Sequence, residues 1–330
     1  MVTGVGYDAR STNAAIRCGI AGFDETKFMV GGEWLIGCGV PFKKSWRGRE
    51  KLLQMIVPAI RECMAGSRVT PREVPILLCL AEEPRPGRFA MLDDSFLREV
   101  QLRLGESFHG ESSVIAEGRV GGVKALARAR ELLSRGRPHC IVAGVDTYLN
   151  GATLAAYADR RRLLTAAHAH GFIPGEAAAA ILLGPPRRDA RELHCVGVGF
   201  GTEPAPVGSE APLRADGLVE AIRAAFSDAG LGYEHLDFRI ADVSGEQYGF
   251  KEAALALLRT MRVRKEQFTL WHPADCVGEV GAAIVPLVLG LALASMSKGY
   301  APGAGALCHF ANDDSQRASI VLRYQSGSPS

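Results

Sequence analysis

None of the eight cysteines in this 330-residue chain stands in a C-x-x-C pair. They fall at positions 18, 38, 63, 79, 140, 195, 276 and 308, several inside apolar runs such as PILLCLAE and HCIVAGVD. Scattered thiols of that kind point to a reducing compartment. The first residues, MVTGVGYDARST, lack a basic stretch followed by an apolar one, so no Sec-type leader is expected. The longest apolar run, 280–294, is short for a membrane span and contains Pro286, which reads as a buried helix. Charge of one sign is also missing, with 38 basic and 36 acidic residues. That balance gives no reason to expect nucleic acid, and the densest basic cluster, Arg160, Arg161 and Arg162, reads as a solvated loop. A Walker loop, H-E-x-x-H and G-x-S-x-G are absent too. A soluble cytoplasmic protein with no membrane partner and no nucleic-acid partner is the expectation.

What is present is alternation. Residues 48–65 have the periodicity of an amphipathic helix, PILLCLAE reads as a strand, and DDSFLREVQLRL as a helix capped by Asp93. SSVIAE, the helix 119–135 closed by Gly136, HCIVAGVDTYL and EAAAAILLG complete a first half. GPPRRDARE, residues 184–192, is a charged break containing proline. Beyond it the order recurs: HCVGVGFGT, a helix over 217–230, FRIADVSG, a helix over 248–261, FTLW, an apolar helix ending near 297, then GALCHFAN and ASIVLRY. Apolar strands alternating with helices predict an α/β protein with mainly parallel sheets covered on both faces. Two glycine-rich helices, GRVGGVKAL and GEVGAAIV, are expected to approach each other closely. The reading is a five-layer αβαβα body with two pseudo-twofold halves, 1–186 and 187–330, packed as one unit.

This arrangement resembles the thiolase fold, and within it the β-ketoacyl-carrier-protein synthases. ALARARELLSRGRPHCIVAGVDT is similar to the segment after the nucleophilic cysteine of those enzymes, and HGFIPGEAAAAILL to their D-G-F-x-x-G-E-G-A-G-x-x-x-L stretch. DVSGEQYGFKEAAL stands in the place of H-G-T-G-T-x-x-G-D-x-x-E, and residues 278–303 resemble the helix after G-H-T. Such a synthase needs a thiolate at a helix start, where its pKa is lowered, and two histidines to stabilise an enolate. The resemblance places Arg119 where the nucleophile belongs, Ser244 at the first histidine and Glu279 at the second. The glycine-rich loop of the synthases reads ANDDSQR, with Asp313 and Asp314. Arginine does not ionise to a nucleophile, and a carboxylate repels a developing oxyanion. These three vestigial positions imply a pseudoenzyme with no catalytic residue and no cofactor, in which Arg119 and Glu279 form a structural ion pair.

Other constellations carry less. Cys276 with His272 is a conceivable dyad but reads as a structural thiol, and adjacent Cys308 and His309 face opposite ways on a strand. His168 and His170 have no third ligand nearby, so no metal is expected. GVGFG, residues 197–201, lacks the rest of a dinucleotide fingerprint and reads as a flexible strand end. Residues 14–55 resemble the start of a thiolase-like group encoded beside type VI secretion effectors. That resemblance implies an adaptor for an effector or spike-tip protein, with Trp34, Phe42 and Trp46 as a partner surface or, equally, a cap on the core. The alternative is an acyl-thioester-handling acyltransferase, or the inactive member of a synthase heterodimer, as chain-length factors are. The family fold also implies a homodimer, with SSVIAEGR at the twofold axis.

Overall fold

The computed structural model describes residues 1–187 and 190–325, so Arg188 and Asp189 of the charged break lie outside the described residues. The chain parts into two compact units. The first comprises Met1–Pro185, Ser244–Glu246 and Pro273–Leu287, and the second Pro186–Val243, Gln247–His272 and Val288–Ser330.

The first unit opens with β1 (Val2–Thr3) and α1 (Ala9–Arg17), followed by a hairpin of β2 (Asp24–Val30) and β3 (Glu33–Gly37). Gly31 and Gly32, both with positive φ, make the hairpin turn, a conformation other residues resist. Next come α2 (Gly48–Met64), β4 (Ile76–Cys79), α3 (Asp94–Leu104), β5 (Ser113–Ile115), α4 (Gly118–Ser134), β6 (Cys140–Thr147), α5 (Gly151–Asp159) and β7 (Glu176–Leu183). Helical spacing of Leu52, Leu53, Ile56 and Ile60 buries one face of α2 on the core beneath β4 and β6. Asp93 caps α3 by accepting the Ser95 N–H at 2.8 Å, as its position predicts.

The second unit contains β8 (Glu192–Thr202), α6 (Asp216–Ala229), β9 (Phe238–Ala241), α7 (Gln247–Thr260) and β10 (Leu270–Trp271). After α8 (Ala274–Val277), which belongs to the first unit, α9 (Ile284–Ser297) leads to β11 (Gly305–Ala311) and β12 (Gln316–Gln325).

The two five-stranded sheets have one topology. The first runs β1-β7-β6-β4-β5 and the second β8-β12-β11-β9-β10. In each, the first two strands named are antiparallel to their neighbours and the other three are parallel. The repeat expected from the sequence is therefore present, but the sheets are mixed where mainly parallel ones were expected. The return strands β7 and β12 carry buried residues on successive positions, and apolar runs of that kind do not reveal strand direction.

Two further expectations change. The segment 278–297 is not one helix: Gly281, with φ +51°, opens a 3-10 turn over Gly281–Ala283, and only then does α9 begin. Pro286 sits in the first turn of α9, where its missing N–H is tolerated. The GVGFG run is no flexible end but the interior of β8. Added Cβ atoms at Gly197, Gly199 and Gly201 would stand 2.2, 2.1 and 2.0 Å from carbonyl oxygens of α6, so these glycines admit the helix onto the strand. The two glycine-rich segments do meet closely, since a Cβ on Gly122 would lie 2.4 Å from Val285.

Candidate functional site

The site is built around the start of α4. Arg119 is the second residue of that helix, and the N-cap Glu117 makes no side-chain capping bond but pairs with Lys124. Arg119 Nη1 donates to Glu279 Oε2 at 2.9 Å. The Ser244 hydroxyl donates to the same oxygen at 2.9 Å, and the Gly281 N–H donates to Oε1 at 2.9 Å. The three positions singled out in the sequence, far apart in the chain, thus converge on one carboxylate. Its side chain is 3% exposed and that of Arg119 11%.

Backbone contacts fix the carboxylate in place. The Glu279 N–H donates to Ile173 O at 2.8 Å, and Glu279 O accepts from the Gly175 N–H at 2.9 Å. Ser244 is held by the residues after it. Gly245 has φ +104°, and a Cβ there would lie 2.8 Å from Gly171 O. Glu246 is gripped by Arg162, with donor distances of 2.8 and 2.6 Å. Arg162 also lies over the rings of Tyr157 and Phe172. The reading of 160–162 as wholly solvated is corrected at Arg162, which is a clamp on the Ser244 loop.

A second buried charge group, missed by the sequence reading, lies in the same unit. Arg85 Nη1 donates to Asp146 Oδ2 at 2.6 Å, and that oxygen also accepts the Ala282 N–H at 2.9 Å. Glu82 and the ring face of Tyr148 complete the surroundings of Arg85. Burial pushes the Asp146 carboxyl up despite the guanidinium beside it. Burial works against the Arg85 charge, yet Asp146, Tyr148 and Glu82 together hold its pKa well above the usual arginine value. Gly281 touches both groups: its N–H binds Glu279, and a Cβ on it would stand 2.1 Å from Asp146. The only sequence cue is a charged residue near the end of an apolar strand, as Asp146 is.

Chemically, the side chain at the head of α4 is not a nucleophile. A guanidinium stays protonated and has no electron pair to give. Both oxygens of Glu279 accept hydrogen bonds, one of them charge-assisted.

The remaining candidates lie elsewhere. Cys276 is buried in the first unit, with its thiol pushed up by burial, while His272 belongs to the second unit and faces the Phe250 ring edge-on. Cys38, close to Cys276, is pushed up to about 12 by the same cause. Cys308 and His309 are both buried in β11. His168 and His170 lie with ring centroids 6.5 Å apart, and no metal-holding group of three or more ligand side chains occurs among the described residues. Asp314 turns the chain between β11 and β12, its carboxylate accepting the Gln316 N–H at 2.8 Å, with Asp313 beside it. Trp34 is half exposed on β3, whereas Phe42 packs on the core beneath α2 and Trp46 is overlaid by Lys44. No helix among the described residues is long and apolar enough to cross a membrane.

No protein-family model matches the chain. It is 31% identical over 223 residues to the actinorhodin polyketide beta-ketoacyl synthase 2 of Streptomyces coelicolor, a match covering 62% of this chain and 53% of that protein. A polyketide beta-ketoacyl synthase 2 of Streptomyces cyaneus is 23% identical over 224 residues, 63% of this chain and 54% of its own length. The chain thus spans about half the length of the curated relatives it matches. Among solved structures, a type II polyketide ketosynthase, AntDE, in complex with its acyl-carrier protein AntF aligns with a TM-score of 0.78 and 16% identity. That alignment covers 98% of this chain and 97% of the other. The ishigamide ketosynthase/chain length factor aligns at 0.74 and 16% identity, again over 98% and 97% of the two chains. A β-ketoacyl synthase of Burkholderia phymatum aligns at 0.76 and 14%, with the same coverage. The chain has the thiolase fold. It shares that fold with the solved ketosynthases, and its sequence is similar to the polyketide beta-ketoacyl synthase 2 proteins of Streptomyces.

Proposed function

We propose that this protein is a non-condensing ketosynthase-like subunit that works by binding another protein. The observation that carries the reading is the Arg119–Glu279 pair, closed by Ser244 and Gly281, where an acylating cysteine and its histidines would be needed. With no thiolate at the helix start, no acyl-enzyme forms there and no enolate acceptor is available.

Two classes of partner are in view. The relatives favour a catalytic ketosynthase: solved neighbours include ketosynthase/chain length factor pairs, one of them from Xenorhabdus doucetiae. The other class, a type VI secretion effector or spike-tip protein served by an adaptor, is supported by the resemblance of residues 14–55. A homodimer through the strand Ser113–Ile115 belongs to the same proposal, as do the two thiolase-like halves and a cytoplasmic location.

Intact-mass spectrometry after incubation with short and long acyl thioesters, on coenzyme A and on a carrier protein, tests the core of the reading. No adduct is expected across the panel. A stoichiometric acyl adduct on Cys276, or on any other cysteine, would overturn it. Co-expression with ketosynthase genes and with effector genes from the same locus then separates the partner classes.

A further inference from the structure

The hairpin β2–β3 forms a two-stranded sheet of its own, outside the five-stranded sheet of its unit. Its inner residues are accounted for: Leu35 is buried, and Phe28 packs with it on the aromatic cluster of Tyr148, Tyr157 and Phe172. Its outer residues are not. Met29 and Trp34 are cross-strand partners, 54% and 51% exposed. Single exposed apolar residues need no explanation, but two large ones set side by side on a small sheet do.

Beside them lies a cleft of about 320 Å³, bounded by Trp34, Leu35, Val30 and Glu33 on the hairpin and by Leu164 and Thr165 on the facing loop. That volume is at the small end for a ligand pocket and suits one large side chain with its neighbours. Thr165 and His168 exchange two backbone hydrogen bonds across the turn that makes the far lip, at 3.1 and 3.0 Å, so the cleft is walled by hydrogen-bonded backbone on both sides.

On the hairpin itself acidic side chains outnumber basic ones. Asp24, Glu25 and Glu33 are exposed carboxylates on the hairpin, against the single ammonium of Lys27. The Glu33 carboxylate makes no hydrogen bond or ion pair with another described residue, and Glu33 lines the cleft. The other two aromatics of the N-terminal region offer no such face, since Phe42 is packed on the core and Lys44 stands 4.1 Å from the centre of the Trp46 ring.

We infer that the outer face of this hairpin, with its cleft, docks a cationic segment of a partner protein, anchored by one large apolar side chain. The anchor enters the cleft against Trp34 and Leu35. A lysine or arginine close to it in the partner's chain meets Glu33, and the Met29 face covers the adjoining residues. Large apolar anchors in a pocket, rimmed by charge pairs, carry most of the affinity of such contacts. The inference rests on the proposed binding role and gives that role a surface and a partner chemistry.

The test is selection from a phage-displayed library of random linear peptides on the immobilised full chain. Enriched peptides should share a large apolar residue within a few positions of a lysine or arginine. Their affinity should fall at least about tenfold in Trp34→Ala and in Glu33→Lys, and stay unchanged in Leu258→Ser, an exposed site in the second unit. Thermal melting of the two hairpin variants, both at exposed positions, confirms that the fold is intact. Absence of enrichment, selection of acidic or uncharged peptides, or binders indifferent to both hairpin substitutions would overturn the surface. The mass-spectrometric result on acyl transfer is independent of that outcome, so the two ideas fail separately.

Discussion

A cation at the head of a helix is a poor local choice, because the exposed N–H groups there carry positive charge. Arg119 sits at such a head, and Glu279 is what makes it tolerable. The converse matters more for stability, since a carboxylate 3% exposed has given up its water and depends on its donors. Arg119→Ala is expected to destabilise the protein by about 3 kcal/mol, the usual scale for stranding one member of a buried pair. Glu279→Gln keeps an acceptor for Ser244 and removes the stranded charge, so the double variant should recover part of the loss. Urea unfolding of the two single variants and the double closes the cycle. A coupling energy indistinguishable from zero would show that the pair holds nothing together. The meeting of these residues was legible in the sequence only through family resemblance, because 160 positions separate them. The Arg85–Asp146 pair, 61 positions apart, belongs to no local motif, and it forms only because the fold sets the turn after β4 against the end of β6.

At the scale of elements, the sequence spoke clearly wherever one face is buried and one is wet. Helix α2 and the capped start of α3 fall where periodicity and Asp93 put them. It spoke less clearly where burial is complete. Strands covered on both faces lose their alternation, which is why the antiparallel return strands looked like the parallel ones. The short elements α1 and the β2–β3 hairpin have too few buried residues to set a period, although the Gly31–Gly32 turn was there to be read. Glycine was the most misleading letter. In GVGFG it marks close approach, at every second residue along the face of β8 that meets α6. Gly199→Ala would set a methyl group 2.1 Å from Ala221 O and 2.4 Å from Ala225 N, both backbone atoms of a helix, so the helix must lift. A loss of about 2–3 kcal/mol is expected, as for overpacked cores. Gly110→Ala, with no atom within 4 Å of the added carbon, serves as the silent comparison. Equal melting temperatures for the two variants would mean that β8 and α6 are not in contact as described.

Across the whole molecule, buried ionisable groups make stability depend on pH, and they do not all pull the same way. His309, in the interior of β11, is 4% exposed, and burial, with Arg239 adding to it, lowers its pKa to about 3 from the usual 6.5. Between those two values the unfolded chain takes up a proton that the folded chain refuses. Stability is therefore fully present above about pH 6.5 and drains away as the pH falls toward 3, by about 1.4 kcal/mol per pH unit for this one group. Asp146 acts in the opposite sense, because burial raises its pKa and the folded state then binds its proton more readily as the medium turns acid. The net slope of the protein mixes such terms, so a single acid melting curve decides nothing. A difference of slopes does. His309→Gln removes the titrating ring and leaves Asp146 and Arg85 in place. Its stability, measured by urea unfolding between pH 6 and pH 4, should decline less steeply than that of the parent by about 1.4 kcal/mol per unit. Parallel curves would place the histidine in water in the folded state, and β11 would then not be the covered central strand of its sheet.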